Sequence, residues 1–146
     1  MTQLYKQVFV NAPLEKVWQI SIDTDKFPEW VQGVRESRVS GFVKSGKGLE
    51  WQEKCEFGSQ ILEINHEFTE VVPMQKTVTK SGLPMGGSME RIATFKPVGD
   101  QIEVNVQLSW DLGMIGMFVT EEKVYAMFEK GLAQTLENWK ARAEKP

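Results

Sequence analysis

The fold is indicated by two neighbouring stretches, VFVNAPLEKVW at residues 8–18 and DTDKFPEW at residues 23–30. A short apolar stretch stops at Asn11, which predicts the end of a strand. Pro13 then suits the first position of a helix, because the N–H that proline lacks has no helical partner there. The helix carries its apolar residues on one face. Pro28 disfavours helical geometry at the residue before it, which predicts a turn into a second short segment.

The order of these signals resembles the opening of the START-like (SRPBCC) superfamily, of the polyketide cyclase/dehydrase and lipid-transport type. The matching residues are Ala12-Pro13, Val17-Trp18, Asp23 and Pro28-Glu29-Trp30. The resemblance implies a helix-grip fold, which is similar to a hand closing on a hydrophobic ligand. It covers essentially the whole chain, so we expect residues 1–146 to form a single START-like domain. It also implies a pocket before any catalytic residue is identified.

Composition narrows the classes of partner and site. The chain has 146 residues, ordinary hydrophobic content and a net charge of −3 with acids and bases interspersed. This balance argues against nucleic acid or an anionic membrane as the main partner, because both select for basic faces. One cysteine, Cys55, excludes an intramolecular disulfide. One cysteine and one histidine argue against a structural zinc site, so we expect neither a metal nor another cofactor.

The hydropathy of the chain indicates where in the cell the protein is expected. No apolar run approaches the roughly 20 residues needed to span a bilayer, so no stable membrane insertion is expected. Lys6 and Gln7 interrupt the short apolar run near the N-terminus, which does not fit a secretion signal. We therefore expect a cytoplasmic protein. The oligomeric state is left open, a homodimer included.

Apolar periodicity predicts a sheet followed by a helix. Alternating residues predict strands that are separated by turns containing glycine, and Pro73 ends or marks the edge of the strand before it. The last ~25 residues change to a helical period, with Thr120 as the candidate N-cap. The prediction is an α+β fold: a curved antiparallel sheet of about seven strands, two short helices after the first strand, and a long C-terminal helix across the concave face. After the first, strands are expected at 34–43, 49–57, from about 60 to Pro73, 74–81, 88–96 and 101–110.

A hairpin turn at Gly58-Ser59 fixes the register of the most informative strand pair. It places Trp51 opposite His66, so Glu53 and His66 become diagonal neighbours within hydrogen-bonding reach. Alternation puts Arg91 on the same inner face. Either Lys76 or Lys80 is also a candidate for that face, although the register of their strand is poorly fixed.

A few polar groups in an apolar lining are typical of a small-molecule site. The polar residues predicted for the inner face allow three interpretations. Glu53, His66 and Arg91 could orient a ligand that bears a carbonyl or hydroxyl group. Glu53 and His66 could instead act as a general acid/base pair and so be the catalytic candidates. They could also lie near the cavity mouth, satisfied by water or by each other. The predicted ligand-binding residues are Trp30, Trp51, Glu53, His66, Phe68, Met89, Arg91, Val106, Leu108, Phe118 and Phe128.

Aromatic residues and methionines leave the size and access of the cavity open. The aromatic side chains could line a cavity, or they could fill a closed core. Four methionines, Met85, Met89, Met114 and Met117, fall in two segments predicted to flank the opening, where they could contact ligand or fill gaps. The glycine-rich loop 82–87 could be a lid or an ordinary hairpin turn.

The leading functional hypothesis is binding of a hydrophobic or amphipathic small molecule, such as a lipid, quinone or polyketide-like compound, between the sheet and the terminal helix. One alternative is an enzyme similar to polyketide cyclase/dehydratases that uses Glu53 and His66. Another is a protein-interaction or co-chaperone module, as in related heat-shock ATPase activators.

The glycines at 46–48 and 82–87 lack the Gly-Lys-Ser/Thr ending of a phosphate-binding loop. The sequence also has no Gly-x-Ser-x-Gly nucleophile elbow.

Overall fold

Seven strands and two α-helices, with three short 3-10 helices, make up the fold in a computed structural model that describes residues 2–146. The strands are β1 (Thr2–Val10), β2 (Val34–Ser40), β3 (Glu50–Phe57), β4 (Gln60–Val72), β5 (Lys76–Gly82), β6 (Ser88–Val98) and β7 (Gln101–Asp111). The helices are α1 (Leu14–Ile22) and α2 (Glu121–Glu144), and the 3-10 helices span Thr24–Glu29, Pro84–Gly86 and Gly113–Met117.

The strands form one antiparallel sheet in the order β1-β7-β6-β5-β4-β3-β2. Chain neighbours pair from β2 to β7, and β1 then pairs with β7, so α1 and the first 3-10 helix connect the two edges of the sheet. This is the predicted α+β helix-grip architecture, with α2 on the concave face.

The helix ends follow the chemistry of their cap residues. Pro13 precedes α1 in an extended conformation, and Val17 and Trp18 are buried on its inner face. Thr120 caps α2, because its Oγ1 accepts a hydrogen bond from the Lys123 N–H at 3.2 Å. That cap satisfies one of the free N–H groups at the helix start.

The β3–β4 hairpin has the predicted register. Gly58 adopts a positive φ of 61°, and Phe57 pairs with Gln60 across the turn. Trp51 consequently pairs with His66, and Glu53 with Ile64. The candidate polar residues therefore share the concave face.

Two details differ from the sequence-based prediction. The weak strand expected over 34–43 ends at Ser40, because Gly41 turns the chain with a φ of 78°. The prediction that Lys76 or Lys80 faces inward is wrong. Thr77, Thr79 and Ser81 face inward instead, while Lys80 is exposed. Lys76 forms an ion pair with Glu70 at the surface, with 3.3 Å between Nζ and Oε1.

The core has two clusters along the space between the sheet and α2. The first contains α1 and most of the large aromatic residues, and in it Trp139 of α2 donates a hydrogen bond to the Val17 carbonyl at 3.2 Å. The second lies at the end nearer Gly113–Met117 and is centred on Trp110, whose ring contacts Phe128 of α2 at 4.8 Å between ring centres. Cys55 and Leu132 border both clusters.

Candidate functional site

Polar side chains gather on the concave face of β3 to β6. Glu53, His66 and Ser81 come from three successive strands, and Arg91 follows on β6. Glu53, His66 and Ser81 are buried, whereas Arg91 is half-buried. Buried polar groups are costly without partners, so the contacts of each group decide what the site can do.

The Glu53 carboxylate accepts three hydrogen bonds. The Trp51 indole donates to Oε2 at 2.8 Å, while His66 Nε2 and the Cys55 thiol donate to Oε1 at 2.9 and 3.2 Å. Burial alone would raise the pKa of Glu53. The hydrogen bond and the positive charge of a protonated His66, the hydrogen bond from Trp51 and the nearby charge of Arg91 together lower that pKa to about 2. Glu53 is therefore an ionised acceptor at neutral pH.

His66 connects this carboxylate to a hydroxyl group. Its Nδ1 lies 2.5 Å from Ser81 Oγ, and its ring stacks on Trp51 with 5.1 Å between ring centres. Because Glu53 is ionised, Nε2 carries the proton that faces it. In the tautomer with the proton on Nε2, Nδ1 accepts a hydrogen bond from the Ser81 hydroxyl. Glu53, His66 and Ser81 form a continuous chain of hydrogen bonds that can move a proton.

Cys55 completes this group but is not an activated nucleophile. Burial raises the pKa of its thiol, and the negative charge of Glu53 raises it further. The donor atoms of Glu53, Cys55 and His66 all lie within 4.8 Å of one another, a spacing that a metal ion could bridge. In this structure the three groups satisfy one another by hydrogen bonds.

Arg91, Thr79 and the buried Trp30 indole N–H lack hydrogen-bond partners among the described residues. Arg91 makes no hydrogen bond or ion pair with any residue in the range 2–146 that the structure describes. Burial lowers the pKa of its guanidinium, and the negative charge of Glu53 opposes that effect. Thr79 is 1% exposed, and its hydroxyl has no hydrogen-bond partner.

The predicted ligand-binding residues fall into three environments. Trp30, Trp51, Phe68 and Val106 are buried in the first core cluster, and Leu108 is buried in the second. Met89 and Phe128 are half-buried inward residues that pack against the second cluster. Phe118 is 73% exposed at the end of the 3-10 helix Gly113–Met117.

Sequence reasoning missed Thr79 and Ser81. Both residues are short and polar, and the strand that carries them has no apolar alternation to fix its register. The available signal was the set Thr77, Thr79 and Ser81, three hydroxyl residues at a spacing of two. Such spacing puts them on one face of a strand.

The structure has two open depressions, one beside the site and one away from it. One, of about 360 Å³, is next to His66 and Ser81 and is otherwise lined by residues of β2 to β5 such as Glu50, Glu67 and Lys80. The other, of about 440 Å³, lies at the Gly113–Met117 end and is lined partly by Met117 and Phe118.

Within residues 2–146, no helix is long and apolar enough to cross a membrane.

Comparison with solved structures supports the fold. The chain is similar to the Zhui aromatase/cyclase from a Streptomyces species, with a TM-score of 0.78, 13% identity, and coverage of 98% of this chain and 93% of that one. It is similar to the protein TTHA0849 from Thermus thermophilus, with a TM-score of 0.78, 15% identity and 97% of both chains covered. It also resembles StfQ, a di-domain aromatase/cyclase of the steffimycin biosynthetic pathway, with a TM-score of 0.79, 12% identity, and coverage of 97% of this chain and 50% of that one.

Comparison of sequences identifies the family of the chain. No curated protein matches the chain in sequence. Residues 1–144 match the family described as polyketide cyclase / dehydrase and lipid transport, which covers nearly the whole chain and agrees with the helix-grip architecture. The chain therefore belongs to the polyketide cyclase/dehydrase and lipid transport family.

Proposed function

We propose that this protein binds an amphipathic small molecule, lipid-like or polyketide-like, between the sheet and α2. The observation that carries the proposal is a row of polar groups in an otherwise apolar face, Glu53, His66, Thr79 and Arg91, two of which lack protein partners. Small-molecule sites have this composition, since apolar contacts supply affinity and a few polar groups fix orientation.

Half-buried apolar residues beside this row support the same location. Phe57, Leu62 and Met89 point inward from the sheet, and Phe128 points toward them from α2, yet none of the four is fully buried. The rings of Phe57 and Phe128 are 6.1 Å apart between centres. A ligand that covers these side chains would remove their remaining apolar surface from water, which is favourable.

Mass spectrometry of the purified protein tests the proposal directly. Spectra recorded under native and denaturing conditions should show a bound molecule that is released on unfolding. Uptake of an apolar fluorescent probe should then be reduced in Met89→Trp, which fills the inner face. The matched control Val98→Trp, on an exposed part of the same strand, should leave uptake unchanged. A protein that carries no ligand and takes up no probe would contradict small-molecule binding and favour a protein partner.

A second candidate function is proton transfer on a bound substrate. The chain of hydrogen bonds from Glu53 through His66 to Ser81 favours it, because both ring nitrogens of His66 are engaged as a proton carrier requires. Incubation with a linear poly-β-ketone, followed by chromatography, would detect cyclised product. Glu53→Gln should lower the rate at least about 100-fold while probe binding persists. No product above the buffer rate with wild-type protein would exclude this activity for that substrate class.

A further inference from the structure

We propose that the ligand carries a carboxylate, which Arg91 and Thr79 bind together. This inference rests on the proposed function, because it names the chemistry of one end of the ligand that the concave face would take. It assigns a carboxylate-binding role to the neighbouring side chains of Thr79 and Arg91.

The register of the sheet places these two residues side by side. Thr79 of β5 pairs directly with Arg91 of β6, and Leu108 of β7 pairs with Arg91 on its other side. Directly paired residues in an antiparallel sheet hold their Cβ atoms about 5 Å apart on the same face. One small group on the ligand can therefore contact both side chains.

Both residues present hydrogen-bond donors that nothing in the described chain accepts. Thr79 is 1% exposed, and its Oγ1 has no partner. The Arg91 guanidinium has five N–H donors, and among residues 2–146 it makes no hydrogen bond or ion pair. Buried polar groups are normally satisfied, so the Thr79 hydroxyl is an exception. The half-buried Arg91 guanidinium beside it has free donors as well, and together the two point to a missing acceptor.

Glu53 does not supply that acceptor. Its two carboxylate oxygens already take hydrogen bonds from Trp51, His66 and Cys55. Arg91 influences it only as a nearby charge, because no ion pair within 4.0 Å joins them. The guanidinium thus remains available to a second anion.

A carboxylate fits the available donors better than a neutral group. The planar fork of an arginine matches the two oxygens of a carboxylate, and such charge-assisted pairs are stronger than neutral hydrogen bonds. A carboxylate also has lone pairs left for the Thr79 hydroxyl. The apolar body of the ligand would then lie along Met89 and Leu108 toward Phe128, which belong to the second core cluster.

Fluorescence titration with a dansyl-labelled undecanoic acid and with its methyl ester tests this assignment. The wild-type protein should bind the acid about 10-fold more tightly than the ester. Arg91→Met should remove that preference by lowering acid affinity much more than ester affinity, and Thr79→Val should reduce acid affinity roughly 3-fold. Arg38→Met, which removes an exposed arginine from β2, is the matched control and should keep the wild-type preference.

The outcomes separate the two proposals. If neither probe binds wild-type protein, the proposed function fails and this inference fails with it. If acid and ester bind equally well, or if Arg91→Met still prefers the acid, binding stands but the carboxylate site is wrong. Arg91→Lys provides a second variant in case Arg91→Met fails to fold. It keeps the charge without the fork, so it should retain only part of the preference.

Discussion

Glu53 is an ionised carboxylate held inside an apolar face by the groups around it. Trp51, His66 and Cys55 donate hydrogen bonds to it, and its pKa falls from 4.5 to about 2 despite burial. A carboxyl group whose pKa is lower in the folded state stabilises the fold above its unfolded pKa. That contribution is lost as the pH falls from 4.5 toward 2.

Replacing Glu53 should therefore change how stability depends on acid. We expect Glu53→Gln to lower the free energy of unfolding at pH 7, and to remove a loss on the order of 3 kcal/mol between pH 4.5 and 2. Urea unfolding at a series of pH values measures this. Glu63→Gln, an exposed residue on the outer face of β4, is the control. Equal acid dependence in wild type and Glu53→Gln would contradict the role given to this carboxylate.

The unpaired hydroxyl of Thr79 should cost stability in the absence of ligand. Thr79→Val replaces it with a methyl group of similar shape, so we expect the free energy of unfolding to rise by about 1 kcal/mol. Ser81→Ala makes a similar deletion two residues away, but it removes a hydrogen bond to His66 and should lower stability by about 1 kcal/mol. In chemical denaturation, a gain in unfolding free energy for Thr79→Val and a loss for Ser81→Ala would support an unpaired Thr79 hydroxyl. A loss of stability in both variants would mean that Thr79 has a partner.

At the scale of elements, two glycine-rich turns pack against each other. The 3-10 helix Pro84–Gly86 lies against the 3-10 helix Gly113–Met117, and Gly113 adopts a φ of 57°. A Cβ at Gly113 would lie 2.7 Å from the carbonyl carbon of Gly86. The loop at 82–87, for which a lid was one expectation, is therefore held by backbone contact with the segment that leads into α2.

Gly113→Ala should disturb this contact. The change combines an unfavourable positive φ with a backbone clash, so we expect a loss of roughly 2–3 kcal/mol in unfolding free energy. Gly46→Ala also imposes a positive φ, but in open space, and should cost only about 1 kcal/mol. Guanidinium unfolding of both variants separates the strain from the clash. Equal losses would show that the two turns move apart easily.

At the level of the whole molecule, large side chains pack the sheet against α2. A ligand bound between the two would add further contacts and so stabilise the folded protein. Ligand binding to the folded state stabilises it by mass action, by about 2.7 kcal/mol at a concentration one hundred times Kd. A chain of this size should then show a Tm higher by roughly 5–10 °C. Differential scanning fluorimetry with the carboxylate probe measures it. Arg91→Met at the same probe concentration should shift less, and an unchanged wild-type Tm would mean that the probe does not prefer the folded state.

Local chemistry made much of the fold predictable. Pro13 marks the start of α1, Gly58 fixes one hairpin, and Thr120 caps the start of α2. Pro28, expected to turn the chain, lies inside the 3-10 helix Thr24–Glu29 near its end. The Glu53–His66 hydrogen bond followed from that hairpin, because a two-residue turn sets the register of both strands.

Turns and alternation act over a few residues, so the order of elements, the family resemblance and the β3–β4 half of the candidate site could be predicted from the sequence. The β5–β6 half, in which Thr79 lies beside Arg91 and Ser81 contacts His66, depends on packing in the folded sheet. The register of β4 on β5 shifts at a bulge between Phe68 and Glu70. A single extra residue reverses which side chains face inward, and its place depends on packing between strands that are distant in sequence.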